Sequence, residues 1–176
     1  ALIYEKKPII GVVLIPSKNE LWISNGENVW CENRERFIKN TNLTNIKNLN
    51  NMTIVTSKNH RNEKLEQLIK KVNFLKIIVM GSIGCKLASI IKGESDIYIS
   101  LSLPDKSGPK DWDFAAPEAI LRAAGGAITT IDNESLVYGR KNFEHPGIIV
   151  ASNNEQIHKD ICLKLKETIK EYSIYP

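Results

Sequence analysis

Cysteine is scarce in this sequence: three residues, Cys31, Cys85 and Cys162, among 176. They stand too far apart for a metal-ligand spacing or an even disulfide framework. A reducing compartment is the simplest reading, and the cytoplasm is the expected location. A long apolar run is also missing. None could span a bilayer, and the opening residues carry no signal-peptide pattern, so no membrane partner is expected. There is no basic tract either. The net charge is +4 and the sequence pI about 8.9, but the lysines are scattered along the chain. Nucleic acid is therefore not an expected partner, whereas a mild positive balance suits a small anionic ligand. No internal repeat is visible, which excludes a repeat array.

What is present is the composition of an ordinary globular protein. Hydrophobic residues make up 42% and charged residues 25%, enough to bury a core without staples. A length of 176 residues suits one domain, or one domain with a piece of another. The chain has no initiator methionine and opens at once on an apolar strand pattern, "ALIYE". Domains usually open with a few loosely held residues, so a preceding portion of the protein is expected.

The first 25 residues read as a strand meander. Apolar runs are broken at Lys6-Lys7-Pro8 and at Pro16-Ser17-Lys18-Asn19, both turn signals. "NVWCENRERFI" can add a short strand, and the Asn-rich residues 39–51 read as a connector. "MTIVTS", "KIIVMGS", "SDIYISLS", "GAITTI" and "GIIVAS" read as strands. Between them lie a helix carrying Leu65, Leu68, Ile69 and Val72 at helical spacing, and a shorter one, "CKLASIIKG", closed by Lys92 and Gly93. The final helix follows a capping-box pattern, Ser152 and Glu155, with an apolar stripe of Ile157, Ile161, Leu165 and Ile169. Alternating strands and helices imply an α/β layered domain over residues 50–176, behind a strand-rich segment over residues 1–40.

Chemistry concentrates in "PKDWDFAAPEAILRAAGG", residues 109–126. Asp113 stands just before a helical pattern, where an aspartate is an ordinary N-cap favoured by the helix dipole. Ala115, Ala119 and Ala123 form a small-sided ridge that lets the helix approach a sheet closely, and Gly125 suits the position past the helix end. The alternative is functional. Asp111 and Asp113 place like charges close together, which is costly unless a cation offsets them. They follow a Gly-Pro loop. Hard cations such as Mg²⁺ take carboxylate oxygens and often share their site with a substrate phosphate, and a helix N-terminus itself favours phosphate. Trp22, Trp30 and Trp112 are most simply packing residues, Asp96 a cap or turn residue, and His145 and His158 carry no functional expectation.

Trp112-Asp113, Ala115-Ala116 and Ala124-Gly125-Gly126 together resemble the C-terminal signature of the inositol monophosphatase superfamily. "GSIGCKLASIIKGESDIY" and the opening meander resemble further segments of that family in the same order. The resemblance implies a layered αβα sandwich, with antiparallel strands at the N-terminus and a mixed or parallel sheet flanked by helices after it. It implies a Mg²⁺-dependent phosphomonoesterase. "VTSKNH" resembles a segment of the 3′(2′),5′-bisphosphate nucleotidase branch, with Thr56 and Asn59 in place of its serines. That branch removes the 3′-phosphate of 3′-phosphoadenosine 5′-phosphate to give AMP and serves sulfur metabolism.

By this carry-over Asp113 is the catalytic and metal-binding residue. His60, Gly81, Ser82, Lys86, Asp111 and Asp113 are the substrate-binding candidates. His60 is expected at the same cleft as Asp113. The family's upstream Glu-Glu and Asp-Pro-Leu/Ile-Asp-Gly-Thr motifs, which supply most metal ligands, are not in this sequence. The resemblance therefore implies a C-terminal portion whose first partner is the rest of its own enzyme, with a homodimer compatible. Two rivals stand beside the nucleotidase reading: an inositol or sugar phosphate phosphatase, and a non-catalytic phosphate-binding or oligomerising fragment. Ile99-Ser100 occupy the place where the nucleotidase branch often carries an arginine, a departure that bears on a second substrate phosphate.

Overall fold

The computed structural model describes residues 1–33, 47–59, 61–104 and 106–175. The first four strands are β1 Leu2–Tyr4, β2 Lys7–Ile15, β3 Glu20–Ser24 and β4 Val29–Glu32, paired antiparallel in sequence order. The first hairpin turns at Glu5 and Lys6, with φ of 48° and 61°, rather than at Lys6-Lys7-Pro8. Both central residues take the left-handed conformation that matches strand twist. Pro8 then lies inside β2 opposite Ile3, beside an irregularity in pairing between Leu2 and Ile3. A residue with no N–H to give is tolerated at such a break. The second break is as the sequence suggests: a single 3₁₀ turn, Pro16–Lys18, closed by Asn19 at φ 53°. Residues 34–38 of the possible further strand, and 39–46 of the connector, lie outside the described residues.

The second sheet contains β5 Thr53–Ser57, β6 Lys76–Met80, β7 Ile97–Leu101, β8 Ala127–Thr130 and β9 Ile148–Ser152, in the order β6-β5-β7-β9-β8. β5 runs parallel to β6 and β7, while β9 runs antiparallel to β7 and β8. The sheet is thus mixed. The helices are α1 Glu63–Val72, α2 Ile83–Ile91, α3 Asp111–Ala123 and α4 Glu155–Glu171. α2 starts two residues before its sequence pattern, and its C-terminus is Lys92 followed by Gly93 at φ 73°.

Two cores hold these layers. One joins Ile15, Trp22 and Val29 of the antiparallel sheet to Leu87 and Ile90 of α2, Phe114 and Ile120 of α3, and Val55, Tyr98 and Ile149 of the mixed sheet. The other lies on the far face of the mixed sheet, where Leu65 and Leu68 of α1 meet Ile161 and Leu165 of α4 over Ile54, Ile97 and Val150. The order of layers is antiparallel sheet, α2 and α3, mixed sheet, α1 and α4. Asp96, buried before β7, ties this sheet together. Its carboxylate accepts from Thr53 N at 2.8 Å, Lys47 Nζ at 2.9 Å and Asn153 Nδ2 at 3.0 Å.

The cap of α4 differs from the Ser152–Glu155 pattern. Pairing with Ile97 and Ala127 holds Ser152 in β9, so Asn154 caps instead, accepting from Gln156 N at 2.8 Å. The Ser152 hydroxyl lies 2.7 Å from His158 Nδ1, and Thr129 Oγ1 is 2.8 Å from Nε2. Burial pushes this imidazole down to about 4, with the Arg122 charge adding to the effect. It is a neutral, structural ring.

α3 and β2 approach each other closely at Gly11. A Cβ built on Gly11 would stand 2.3 Å from the Ala116 carbonyl oxygen and 3.0 Å from Ile120. Backbone cannot give way as a flexible side chain does. Gly11→Ala is therefore expected to lower stability by about 1–3 kcal/mol, read from urea or thermal unfolding. An unchanged midpoint would show that the two layers can part freely at this point.

Candidate active site

β5, β6 and β7 are parallel, so their carboxyl ends share one edge of the sheet. Ligands of α/β sheets collect at that edge. A cavity of about 620 Å³ opens there. Ser57 ends β5, Arg61 and Asn62 precede α1, and Ser82 and Lys86 begin α2. Tyr98 and Ser100 come from β7, Ser102, Leu103 and residues 106–109 form one wall, and Asp113 enters from α3.

Ser82 joins β6 to α2 with φ 42° and ψ 133°, a left-handed conformation rare outside glycine. Such strain persists only where the surroundings impose it, and it is concentrated at functional sites. The Ser82 hydroxyl makes no capping bond to α2. Its carbonyl accepts from Lys86 Nζ at 3.2 Å, the one hydrogen bond of that ammonium among the described residues. Lys86 is only 2% exposed, and its Nζ lies 5.3 Å from the centre of the Tyr98 ring. Burial pushes the amine down to about 8, against opposing pulls from Cys85 and Asp113. A buried ammonium has three donors, and a single carbonyl leaves two without partners among the described residues. Gly81, also a candidate, ends the β6 segment next to Ser82 but does not line the cavity.

Asp113 is not the N-cap. α3 starts two residues earlier, at Asp111, and Lys110 occupies the cap position. Lysine has no acceptor, so Asp113 reaches back. Its Oδ2 accepts from Lys110 N at 2.8 Å, and its own N–H donates to the Lys110 carbonyl at 2.9 Å. This is the reciprocal half of a capping box. Oδ1 takes no hydrogen bond from the described residues. Capping and ligand binding are thus compatible, one oxygen for each.

Asp111 points elsewhere. Its Oδ2 accepts from Gly139 N at 2.7 Å, its Oδ1 is 2.8 Å from His145 Nε2, and it does not line the cavity. His60 lies outside the described residues. Trp112 is 68% exposed, with its ring 6.1 Å from that of Phe143. It is no core residue, whereas Trp22 is 3% exposed and is one. The sequence reading passed over Arg61 and Lys106. Arg61 pairs with Glu66 through Nη2 at 2.6 Å, while Lys106 is exposed on the wall loop. A polar loop with a lysine between two hydroxyl residues, Ser102 and Ser107, was the available signal.

Among the described residues no three His, Cys, Asp or Glu side chains group to hold a metal. Mg²⁺ asks for six oxygens in near-octahedral array. Among the described residues Asp113 is the one carboxylate lining the cavity, so they offer a single anionic ligand and do not by themselves make a Mg²⁺ site.

A family model described as the inositol monophosphatase family matches residues 1–170. The chain belongs to the inositol monophosphatase family. The mouse protein 3′(2′),5′-bisphosphate nucleotidase 1 is 32% identical over 92 residues, 51% of this chain and 29% of that protein. Its Dictyostelium discoideum counterpart is 30% identical over 94 residues, 52% of this chain and 29% of that one. Among solved structures, CysQ from Bacteroides thetaiotaomicron superposes with a TM-score of 0.72 at 24% identity, covering 88% of this chain and 62% of that one. SaIMPase-II with 2′AMP bound gives 0.74 at 20% identity, covering 97% and 60%. These structures establish the αβ fold of the family, with its antiparallel N-terminal sheet and mixed sheet flanked by helices. The chain spans about 60% of such structures, and the matched part is about 30% of the curated relatives.

The depressed Lys86 value has a sign that can be tested. The folded chain holds this proton less tightly than the unfolded chain. Below about pH 8 the buried charge is a full burden on the fold. As pH rises from about 8 toward the ordinary 10.5, the folded form has shed a proton that the unfolded form still carries, so this group's contribution to stability rises. Lys86→Met should raise the urea midpoint near neutral pH and flatten its rise toward about pH 9.5. A midpoint that falls at neutral pH would show the ammonium to be compensated in the fold.

Proposed function

We propose that the cavity binds a phosphate monoester and that the chain forms part of a Mg²⁺-dependent phosphatase. The observation that carries this is Lys86: a buried ammonium with one carbonyl partner, at the mouth of α2 and across the same cavity from Asp113. A phosphate dianion supplies acceptors for its unused donors and meets the favourable ends of two helix dipoles. Charge-assisted bonds of this kind are among the stronger ones a site can make. Ser82, whose hydroxyl is not spent on capping, adds a further donor.

We assign Asp113 as one ligand of the Mg²⁺, through Oδ1, with the other ligand oxygens coming from outside the described residues. An ion held by Asp113 and those outside oxygens would supply Lewis-acid chemistry for phosphate ester hydrolysis. The chain's own part is to hold the phosphate, orient it and keep Asp113 in place. Within this reading the substrate is a nucleoside bisphosphate, 3′-phosphoadenosine 5′-phosphate by preference. The names of the curated relatives support this, as do the size of the cavity and the additional cations Arg61 and Lys106 at its wall. We place the antiparallel sheet, residues 1–40, and the unit from residue 50 onward as portions of two domains sharing the core around α2 and α3. Three free cysteines support a cytoplasmic location, consistent with a role in sulfur metabolism.

Two experiments test this. In the full-length protein Asp113→Asn keeps the acceptor for Lys110 N–H, so unfolding should shift by no more than about 1 kcal/mol. Loss of the charge that a hard dication needs should still cut turnover by at least about tenfold and raise the Mg²⁺ requirement. Near-normal activity at low Mg²⁺ would remove Asp113 from the metal site. The 176-residue chain alone, whose described residues place one carboxylate at the cavity, should bind inorganic phosphate yet hydrolyse none of a panel of nucleotide, inositol and sugar monoesters. Robust Mg²⁺-dependent turnover by that chain would place the active centre elsewhere.

A further inference from the structure

A strap of chain, Tyr138–His145, crosses the entrance to α3. Among the described residues, all its polar links to the rest of the fold but that of the Tyr138 hydroxyl fall on one short stretch, residues 107–111. Glu144 Oε1 accepts from Ser107 Oγ at 2.8 Å and from Lys110 Nζ at 2.5 Å. The Phe143 carbonyl accepts from Asp111 N at 2.8 Å, and His145 N donates to the Pro109 carbonyl at 2.9 Å. Gly139 N donates to Asp111 Oδ2 at 2.7 Å. A Cβ on Gly108 would stand 2.8 Å from the His145 carbonyl, so the cavity wall presses directly on the strap.

The His145 ring is the fixed point of this clasp. It is 3% exposed and sits edge-on to Phe114, at 5.6 Å between centres, and to Tyr138, at 5.0 Å. Tyr138 is in turn anchored by its hydroxyl on the buried Glu118 of α3. His145 Nε2 and Asp111 Oδ1 are 2.8 Å apart but not aligned as a hydrogen bond, and neither has another partner among the described residues. Burial holds the ring below the ordinary histidine value, against the opposing pull of the Asp111 carboxylate. This is a costly arrangement for packing alone, because two buried polar atoms depend wholly on each other.

We propose that His145 is a positioning residue for the candidate active site. Through Asp111 and the Pro109 carbonyl it fixes the first turn of α3 and the cavity wall together, and so sets where Asp113 stands. Asp113 is two residues beyond Asp111 and hangs on Lys110 N–H, in the turn the strap clasps. Release of Asp111 frees that turn. A displacement of about 1 Å at a reacting group can cost on the order of a hundredfold in rate. This inference rests on the phosphatase reading for its consequence, but not for its geometry.

The test compares His145→Phe, which keeps the ring and loses Nε2, with His145→Gln, which restores an amide donor near that place. It uses full-length protein. Amide exchange at Lys110, Asp111 and Asp113 should speed up by about tenfold or more in His145→Phe, relative to amides of β5 and β9. kcat should fall by about tenfold or more with KM changed less than about threefold. His145→Gln should recover most of both. If exchange rises uniformly across the fold and kcat is unchanged, His145 is a packing residue and the proposal is overturned. If His145→Phe fails to fold, Asp111→Asn is read in its place for the same local exchange and the same kcat loss, and no change there overturns the proposal equally. Should the wild-type protein hydrolyse no phosphate monoester, the phosphatase reading falls, while the local exchange still decides the positioning role.

Discussion

The contact on which the rest of the structure depends is that of α3 with β2. A helix that also packs on α2 and the mixed sheet can reach the antiparallel sheet only where a strand presents no side chain, and Gly11 is that point. The small side chains Ala115 and Ala119 belong to the same requirement, since both are buried on α3. Fixing α3 between two sheets fixes its N-terminus at the carboxyl edge of β5 and β7. Asp113 reaches the cavity because the helix bearing it has nowhere else to lie.

Much of this was legible in sequence. Apolar alternation and turn residues marked the strands of both sheets, and helical spacing marked α1 and α4. The errors have local causes. Helix starts depend on which backbone groups find partners. Thus Ser152, drawn into β9 by its neighbours on both sides, could not cap α4, and Asn154 did. The cap alternative weighed for Asp113 rested on the usual habit of aspartate, but Lys110 holds the cap position and uses the Asp113 carboxylate from one turn inside.

Of the candidate site, Ser82, Lys86 and Asp113 were found through family motifs, since each follows a strand or loop whose end meets the others only in three dimensions. Asp111 shares its motif with Asp113 but turns its carboxylate to Gly139 and His145. Successive helical positions point in different directions, and sequence neighbours need not share a site. Arg61 and Lys106 lie in segments without periodicity, where composition gives no hint of which way a side chain faces. His145 was passed over because a single histidine in a turn-rich loop carries no pattern.

Lys86 and Ser82 have a joint consequence for the stability of the fold. One is a charge held out of water with little to hold it, and the other is a backbone twisted into a region most residues avoid. Both tensions sit at the mouth of one helix, and on the reading proposed above an anion would offset the buried charge. Binding and folding are linked by mass action: a ligand that binds only the folded chain stabilises it by RT ln(1 + L/Kd), where L is the free ligand concentration. In a cell the abundance of the folded chain would follow the supply of its ligand. If the proposed phosphatase reading holds, a pool of substrate would preserve the folded chain, which would become more vulnerable to unfolding and proteolysis as that pool is exhausted.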